Sequence, residues 1–469
     1  MQRRGVIYAV APSPKDLNTI WCGTDDGLIH VTKDGGKSWK NITPSSITSW
    51  SKISVLEASH FDVNTAYAAV NRIRCDDMHP HIYKTNDGGR SWKEIANGLP
   101  DDPINVVRED PQTKGLLFAG SERAVYVSFD DGEHWQSLRL NMPASSVRDL
   151  VIKDDDIVAG THGRGFWILD DITSLRQLSR KANTQAVILF KPETATRVRW
   201  SMNTDTPIPQ EEPAGQNPPD GAIIDYYLNQ EVKEVTLEIT DEKGNSIRKF
   251  TSADTTYEIP KVDMPLYWIR SQKILSAQKG SHRFLWDMHY TPFNEPASYP
   301  MQAVYEETAP AETAPWVSPG NYIVKLKVDD KILTQPFSVR MDPRVKTSVP
   351  DLQKQHDLSM ICYNGRKKCT DALNEIREYR ARLKNQITNA SSSVADTLNE
   401  KDQQAAALES TPAGNTDPSF SRLNGNFAAL MGNLQNADVR PTSQVTDAVM
   451  NAQNQMNALL KKWSELKNK

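Results

Sequence analysis

A short pattern occurs three times in the first third of the chain. In each copy a Ser or Thr is followed by Asp, Gly and Trp at the same spacing, and the tryptophans are 53 and 43 residues apart. Strand–turn–strand patterns surround each copy, and "IVAGTHGRGFWILDD" (157–171) continues this frame but lacks the Asp-x-Gly-x-x-Trp motif. Each unit is predicted to contain about four short strands. Four-stranded units at this period are typical of β-propeller blades.

The repeated residues have a structural explanation. Each Asp is expected to accept backbone N–H bonds within its turn, and each Gly is expected to adopt a positive φ. Each Trp is expected to pack back over its own turn, so that Trp39→Ala or Trp92→Ala would destabilise the fold. The residues interpreted in this structural way are Asp34, Gly36, Trp39, Asp87, Gly89, Trp92, Asp130, Gly132 and Trp135.

The composition changes twice further along the chain. A Pro- and Gly-rich stretch predicts a linker at 193–220 after blades over 1–192, and alternating strands then predict an Ig-like β-sandwich over 221–345. Helical periodicity with stripes of apolar residues predicts an α-helical bundle over 346–469. The fold class is therefore mainly β with a C-terminal α part. The helical tail is expected to be dispensable for the β domains, because its stripes can pack against one another.

Charge and composition narrow the classes of partner. The net charge of −4 disfavours a nucleic-acid partner, and no apolar stretch is long enough to span a membrane. The N-terminus has no apolar region typical of a signal peptide, and the four cysteines form no CxxC pair. His79 and His81 have acidic neighbours, but we predict no metal site and no cofactor.

The motifs resemble the Asp box, or bacterial neuraminidase repeat, of sialidases, sortilins and xyloglucanases. Together with the downstream domains they resemble the closing blades of large secreted propeller proteins of the sortilin N-terminal type, a group often labelled "glycosyl hydrolase, BNR repeat". The resemblance implies a secreted or periplasmic protein with an Ig-like module after the propeller. It also implies further blades upstream, so the four predicted blades are expected to form an incomplete ring; a closed four-bladed propeller is the alternative.

Candidate ligand contacts lie on the turns between the second and third strands of each unit. If the strands of a unit are called A to D, these B–C turns lie at the end opposite the Asp-box turns. Propeller ligands usually enter at one end of the central channel. The candidate binding residues are Asp25, Asp26, Glu122, Arg123, His162 and Arg164.

Three functions follow from this reading. The first is an extracytoplasmic propeller scaffold that binds a peptide, a protein or a glycan. The second is a glycoside hydrolase, sialidase-like or xyloglucanase-like, which would need two carboxylates on opposite sides of the scissile bond; the four predicted blades do not supply the residues of either kind of site. The third is a structural fragment that completes a larger assembly with missing N-terminal blades or another chain. No catalytic residue is assigned, and no glycosidase turnover is expected from the chain alone.

Overall fold

The computed structural model describes residues 5–181, 185–199, 212, 215–299, 306, 308–388, 391–412 and 414–468. The chain forms two compact units, residues 1–186 and 187–469. Among the described helices, none combines the length and apolar character that crossing a bilayer requires.

The first unit is a series of antiparallel sheets in which each strand pairs with the next along the chain. Three sheets have four strands and the fourth sheet has three, because a helix follows its third strand. The first sheet comprises β1 Ile7–Pro12, β2 Ile20–Thr24, β3 Ile29–Thr32 and β4 Lys40–Asn41. The second comprises β5 Lys52–Ala58, β6 Ala66–Asn71, β7 His81–Thr85 and β8 Lys93–Glu94. The third comprises β9 Ile104–Glu109, β10 Leu117–Ser121, β11 Val125–Ser128 and β12 Gln136–Ser137, and the fourth comprises β13 Ser146–Lys153, β14 Asp156–His162 and β15 Phe166–Leu169.

Successive sheets pack face to face. One apolar cluster joins the first sheet to the second, another joins the second to the third, and a third joins the third to the fourth. The A strands β1, β5, β9 and β13 contact one another in sequence, so the sheets fan out from a line of A strands. This is the packing of neighbouring blades in a β-propeller.

A helix, α1 Thr173–Lys181, packs beside the third and fourth sheets. Its Arg176 donates from Nε to Asp110 at 2.8 Å and from Nη2 to the Asp154 carbonyl at 2.9 Å. Asp110 is fully buried, so this ion pair fixes the helix against turns of two different sheets.

The second unit begins with two sheets that share one apolar core. One sheet has the order β16-β18-β21 and the other the order β17-β23-β22-β19-β20, in which β17 pairs in parallel with β23. The strands are β16 Val187–Leu189, β17 Ala195–Arg197, β18 Ala222–Leu228, β19 Val235–Asp241, β20 Ser246–Thr251, β21 Gly280–Trp286, β22 Gly320–Val328 and β23 Lys331–Met341.

The boundary between the units differs from the sequence prediction. The sequence predicts that residues 187–192 belong to the blades, but β16 pairs with β18 of the second unit. The predicted linker also contributes β17, while its residues 200–211 and 213–214 lie outside the described residues. The prediction was wrong here because a short apolar strand reads the same in either domain.

The C-terminal region is helical, as predicted. It consists of α2 Val349–Ile387, α3 Ser392–Glu409, α4 Phe420–Gln435 and α5 Ser443–Lys467. The predicted stripe on α5 is buried at Val449, Met456 and Trp463. Together with residues of the other three helices, these side chains form one core.

The helices also bind the adjacent sheets through polar contacts, which contradicts the expectation that the tail is dispensable. Arg197 on β17 donates to Asp438, after α4, at 2.6 Å, and Arg199 donates to the same carboxylate at 2.8 Å. The side chains of Arg197 and Asp438 are only 5% and 3% exposed. Removing the helices would take away the Asp438 carboxylate and expose a part of the sheets that is covered in the whole chain. The apolar stripes of the helices predicted a bundle independent of the sheets, but the stripes account only for the faces that the helices turn toward one another.

Candidate functional site

The three Asp-box turns share one hydrogen-bond pattern. In the second turn Asp87 Oδ1 accepts the backbone N–H groups of Arg90 and Ser91 at 2.8 and 3.0 Å, and the Thr85 hydroxyl at 2.9 Å. Asp34 accepts the N–H and the hydroxyl of Ser38 in the same way. These contacts hold the pKa of Asp34 down, at about 2. All the contacts are local to the turn.

The tryptophans pack differently from the prediction. The indole N–H of Trp92 donates to the carbonyl of Ile42 in the first sheet at 2.9 Å, and that of Trp135 donates to the carbonyl of Ile95 in the second sheet at 2.7 Å. Each therefore binds the preceding sheet instead of covering its own turn. Trp39 is 45% exposed, so the predicted burial of this residue was wrong.

At the opposite end, the structure brings Asp25 and Asp26 into one B–C turn. Asp25 Oδ1 accepts the backbone N–H of Val6 at 2.7 Å, and Asp26 Oδ1 accepts the Thr24 hydroxyl at 2.5 Å. Both carboxylates are thus engaged in closing the turn and holding the chain that leads into β1.

Glu122 joins the third and fourth sheets at the same end. Its Oε1 accepts from the Asn105 amide and from Arg148 Nη1, both at 3.1 Å. Asn105 in turn accepts from the Asn71 amide at 2.8 Å, so one polar chain runs across three sheets. The Glu122 side chain is 16% exposed and the Arg148 side chain is 51% exposed.

The other candidates on this end are more exposed. Arg123 Nε lies 4.0 Å from Asp102 Oδ1, and the Arg123 side chain is 67% exposed. Burial raises the pKa of Asp102. His162 and Arg164 are exposed and flank the B–C turn of the fourth sheet, in which the Arg164 carbonyl accepts the Trp167 indole N–H. The six sequence candidates thus occupy three B–C turns, and only Glu122 reaches a neighbouring sheet in the described contacts.

Sequence reasoning missed a feature of the A strands. Each A strand has a register shift against its B strand, and one residue occupies the bulge: Tyr8, Ser54, Asn105 and Arg148. Bulges redirect a side chain out of the strand alternation and are frequent beside functional sites. Four residues at one structural position, one per sheet, therefore lie along the line from which the sheets fan out. The signal available in the sequence was a polar residue at the same place in four A strands.

Of the bulge residues, Tyr8 and Arg148 are exposed, whereas Ser54 and Asn105 are buried. Lys52, on β5, places its ammonium 3.6 Å from the centroid of the Tyr8 ring. The hydrogen bond and the charge of Lys52 lower the pKa of Tyr8, and the charges of Arg148 and Arg74 act in the same direction. Tyr8, Lys52, Asn105, Glu122 and Arg148 are called the bulge cluster below.

The bulge cluster carries more positive than negative charge. It contains two cations, Lys52 and Arg148, and one carboxylate, Glu122, which already accepts from Asn105 and Arg148. An ammonium has three N–H donors, so Lys52 can contact Tyr8 and still donate to a ligand. Such an arrangement suits a carboxylate or another anionic group, since charge-assisted hydrogen bonds are about twice as strong as neutral ones.

Two groups of side chains have the chemistry of metal ligands. In the second B–C turn Asp77 accepts from His79 and His81 at 2.8 and 3.2 Å, but it also pairs with Arg72 at 3.1 Å. In the second unit ligand atoms of Asp287, His289 and Glu312 lie within 4.8 Å of one another. There Arg248 Nη1 lies 2.7 Å from both oxygens of Asp287. In both groups an arginine already neutralises the central carboxylate.

Comparisons with known proteins give no family. No family model matches the chain, and no curated protein matches it. Among solved structures, "YCF48 bound to D1 peptide" is 20% identical with a TM-score of 0.29, covering 36% of this chain and 53% of that one. The Niastella koreensis GH74 enzyme is 13% identical with a TM-score of 0.31, covering 71% of this chain and 46% of that one. The chain thus spans about half the length of these structures, and similarity at this level carries no argument about its function.

Proposed function

We propose that the chain is an Asp-box propeller scaffold that binds an acidic segment of a peptide or glycan at the bulge cluster. The observation that carries the proposal is the equivalent position of Tyr8, Asn105 and Arg148 in different sheets. A rigid framework of strands holds the exposed Tyr8 and Arg148 at equivalent positions, with the buried Asn105 on a strand between theirs. Groups that are already held in place lose little conformational entropy when a ligand binds, so the free-energy cost of binding is lower.

The contacts of the carboxylates favour binding over hydrolysis. Asp25 and Asp26 hold their turn, and Glu122 accepts from two donors. A general acid needs a carboxyl group with a raised pKa that reaches the leaving group. Of the acidic groups at this end, Asp102 has a raised pKa, but it is buried and accepts a hydrogen bond from Ser121. Glycoside hydrolysis is therefore the second function to test.

The proposal extends to the parts that the resemblance implies. The two sheets of the second unit would be an Ig-like module, the Asp boxes would act only in folding, and the protein would work outside the cytoplasm. Fractionation of the source cells, with the protein detected by antibody, tests the location. Recovery only with cytoplasmic markers contradicts it.

Binding is tested by fluorescence anisotropy with labelled peptides of equal length, one rich in Asp and Glu and one neutral. We expect the acidic peptide to bind more tightly and to lose affinity as salt is raised, since exposed charges are screened over about 8 Å at physiological ionic strength. Lys52→Ala and Arg148→Gln should each weaken binding about tenfold, the loss of one charge-assisted contact of about 1.4 kcal/mol. Lys153→Ala, at the other end of β13, is the matched control.

Equal binding of both peptides, or an equal effect of the control variant, would reject the bulge cluster as the site. A parallel screen with fluorogenic glycosides, including sialosides and xyloglucan fragments, tests the second function. Saturable turnover that disappears in Glu122→Gln but not in Glu133→Gln would put the hydrolase first.

A further inference from the structure

The first sheet has a face that differs from the equivalent faces of the other sheets. The residue before each A-strand bulge is Ile7, Ile53, Ile104 or Val147. Ile53, Ile104 and Val147 are fully buried against the preceding sheet, whereas Ile7 is 66% exposed. The same position therefore carries an aliphatic side chain in all four sheets, and in the first sheet none of the residues that the structure describes covers it.

A second position repeats the difference. Val10 in β1 is equivalent to Leu56, Val107 and Leu150 in the other A strands. The exposed fraction is 57% for Val10 but 2% for Leu56 and 0% for the other two. Exposing an aliphatic side chain to water is unfavourable. The first sheet therefore carries, at exposed positions, the residue types that are buried in the other three sheets.

The first Asp-box turn also lacks the contact with a preceding sheet that the other two turns make, and here the contact is a hydrogen bond. Trp92 and Trp135 donate to the carbonyls of Ile42 and Ile95 of the preceding sheet, and Trp39 is exposed. A Cβ added to Gly89 or to Gly132 would meet the same two isoleucines at 2.4 Å, whereas a Cβ added to Gly36 would meet nothing within 4 Å. The first turn thus has the Trp and the Gly of the contact but not the isoleucine.

We propose that this uncovered face, formed by Ile7, Val10, Gly36 and Trp39, binds a four-stranded blade of a partner polypeptide. The interface that occurs twice within this chain defines the chemistry of the partner. Directly after its fourth strand it carries a branched aliphatic residue, as Ile42 follows β4 and Ile95 follows β8. That residue packs on Gly36, and its carbonyl accepts the indole N–H of Trp39.

A second copy of this chain fits the face less well. Its own uncovered sheet is the fourth, where Phe166 and Ile168 are 81% and 58% exposed. In that sheet β15 is followed by α1, so within the described residues it has no fourth strand and no equivalent of Ile42. The acceptor for Trp39 would be missing. A second copy is therefore a competing outcome of the test.

The test is a fusion protein in which a copy of the second sheet, which already packs on a following sheet in this chain, is placed before the first sheet. A copy of residues 50–103, which contains the second sheet and its connection to the third, replaces residues 1–6 in front of Ile7. We expect the indole N–H of Trp39, assigned by its loss in Trp39→Phe, to exchange with solvent at least tenfold more slowly in the fusion than in the natural chain. The matched control carries Ile95→Asp in the copied segment only, and in it the protection should be lost.

A fusion without protection, or with equal protection in the control, overturns the proposal. The natural chain supplies an independent measurement that does not depend on the fusion folding. Val10→Asp should leave the denaturation midpoint unchanged, while Leu56→Asp should lower it. An equal fall in both variants would show that the face is already covered. Sedimentation of the natural chain as a dimer that Val10→Asp dissociates would identify a second copy as the occupant, and would also overturn the proposal.

Discussion

The sheets of residues 1–186 are joined by apolar clusters between neighbours, with one indole–carbonyl hydrogen bond at two of the three interfaces. Within residues 187–469, by contrast, a nearly fully buried ion pair joins strand β17 to the turn after α4. Apolar contacts add up in small increments, so they weaken gradually. A buried charge that loses its partner is penalised at once. The two units should therefore respond differently to single substitutions.

The largest expected effect lies in the second unit. Asp438→Ala leaves the buried Arg197 without its carboxylate and with the neutral Val317 carbonyl as an acceptor, and it deprives Arg199 of the same carboxylate. We expect the free energy of unfolding of this unit to fall by about 3–5 kcal/mol, the typical loss when one partner of a buried pair is removed. Hydrogen exchange read by mass spectrometry measures this for each unit separately. Glu238→Ala, which removes a partly exposed partner of Lys325 at 3.8 Å, is the control and should cost less than about 1 kcal/mol.

The next effect tests the interface between sheets. Trp135 is 5% exposed and Trp39 is 45% exposed. Trp135→Ala should cost about 3 kcal/mol, at the lower end for loss of a buried aromatic side chain, because the neighbouring apolar contacts can relax into the space. Trp39→Ala should cost less than about 1 kcal/mol, because surface substitutions rarely cost more. Denaturant melts of both variants measure the difference. Equal costs would mean that Trp39 is buried in solution.

A smaller effect separates backbone strain from packing. Gly36 and Gly89 both have a positive φ, 92° and 83°. Alanine at either position pays a similar backbone cost, of about 1 kcal/mol. Only Gly89→Ala also forces a Cβ against Ile42, which adds about 1–3 kcal/mol of overpacking. The difference between the two melting midpoints isolates the contact, and identical midpoints would contradict it.

The smallest effect concerns acid stability. The pKa of Asp34 is held at about 2 by Ser38, and Asp87 is shifted in the same direction by its own Ser91. A carboxyl whose folded pKa is depressed stabilises the fold above its unfolded value of about 4, and the contribution disappears as the pH falls through the folded value. We therefore expect residues 1–186 to lose stability between about pH 4 and pH 2. Circular dichroism melts across this range should show a shallower pH dependence for Asp34→Asn than for the exposed-site control Glu133→Gln.

The repeat predicted most of the first unit because it specifies local structure. Turn chemistry and strand alternation depend on neighbours in the sequence, and the turns of Asp34 and Asp87 have the pattern of bonds that their spacing suggests. The direction in which Trp92 packs depends instead on another sheet, 50 residues away at Ile42. The spacing of the motif contains no information about that contact.

The same distinction applies to the second unit and to the candidate site. Arg199 and Asp438 are 239 residues apart in the sequence, and nothing in the helical periodicity links them. At the site, the B–C turns were predicted from topology, but Tyr8 and Arg148 were not, since a bulge is invisible in a strand read as simple alternation. A polar residue shared by four equivalent A strands was the clue.

The indole–carbonyl contact lies at the Asp-box end of the sheets, and each one joins a sheet to the sheet directly before it. The B–C turns at the other end differ in length, from the three residues between β10 and β11 to the nine between β6 and β7. Insertions there leave the indole, the glycine and the isoleucine of each contact untouched. In proteins with such repeats, each B–C loop can therefore change in length and sequence during evolution, and so in what it binds, without changing the contacts that hold the sheets together.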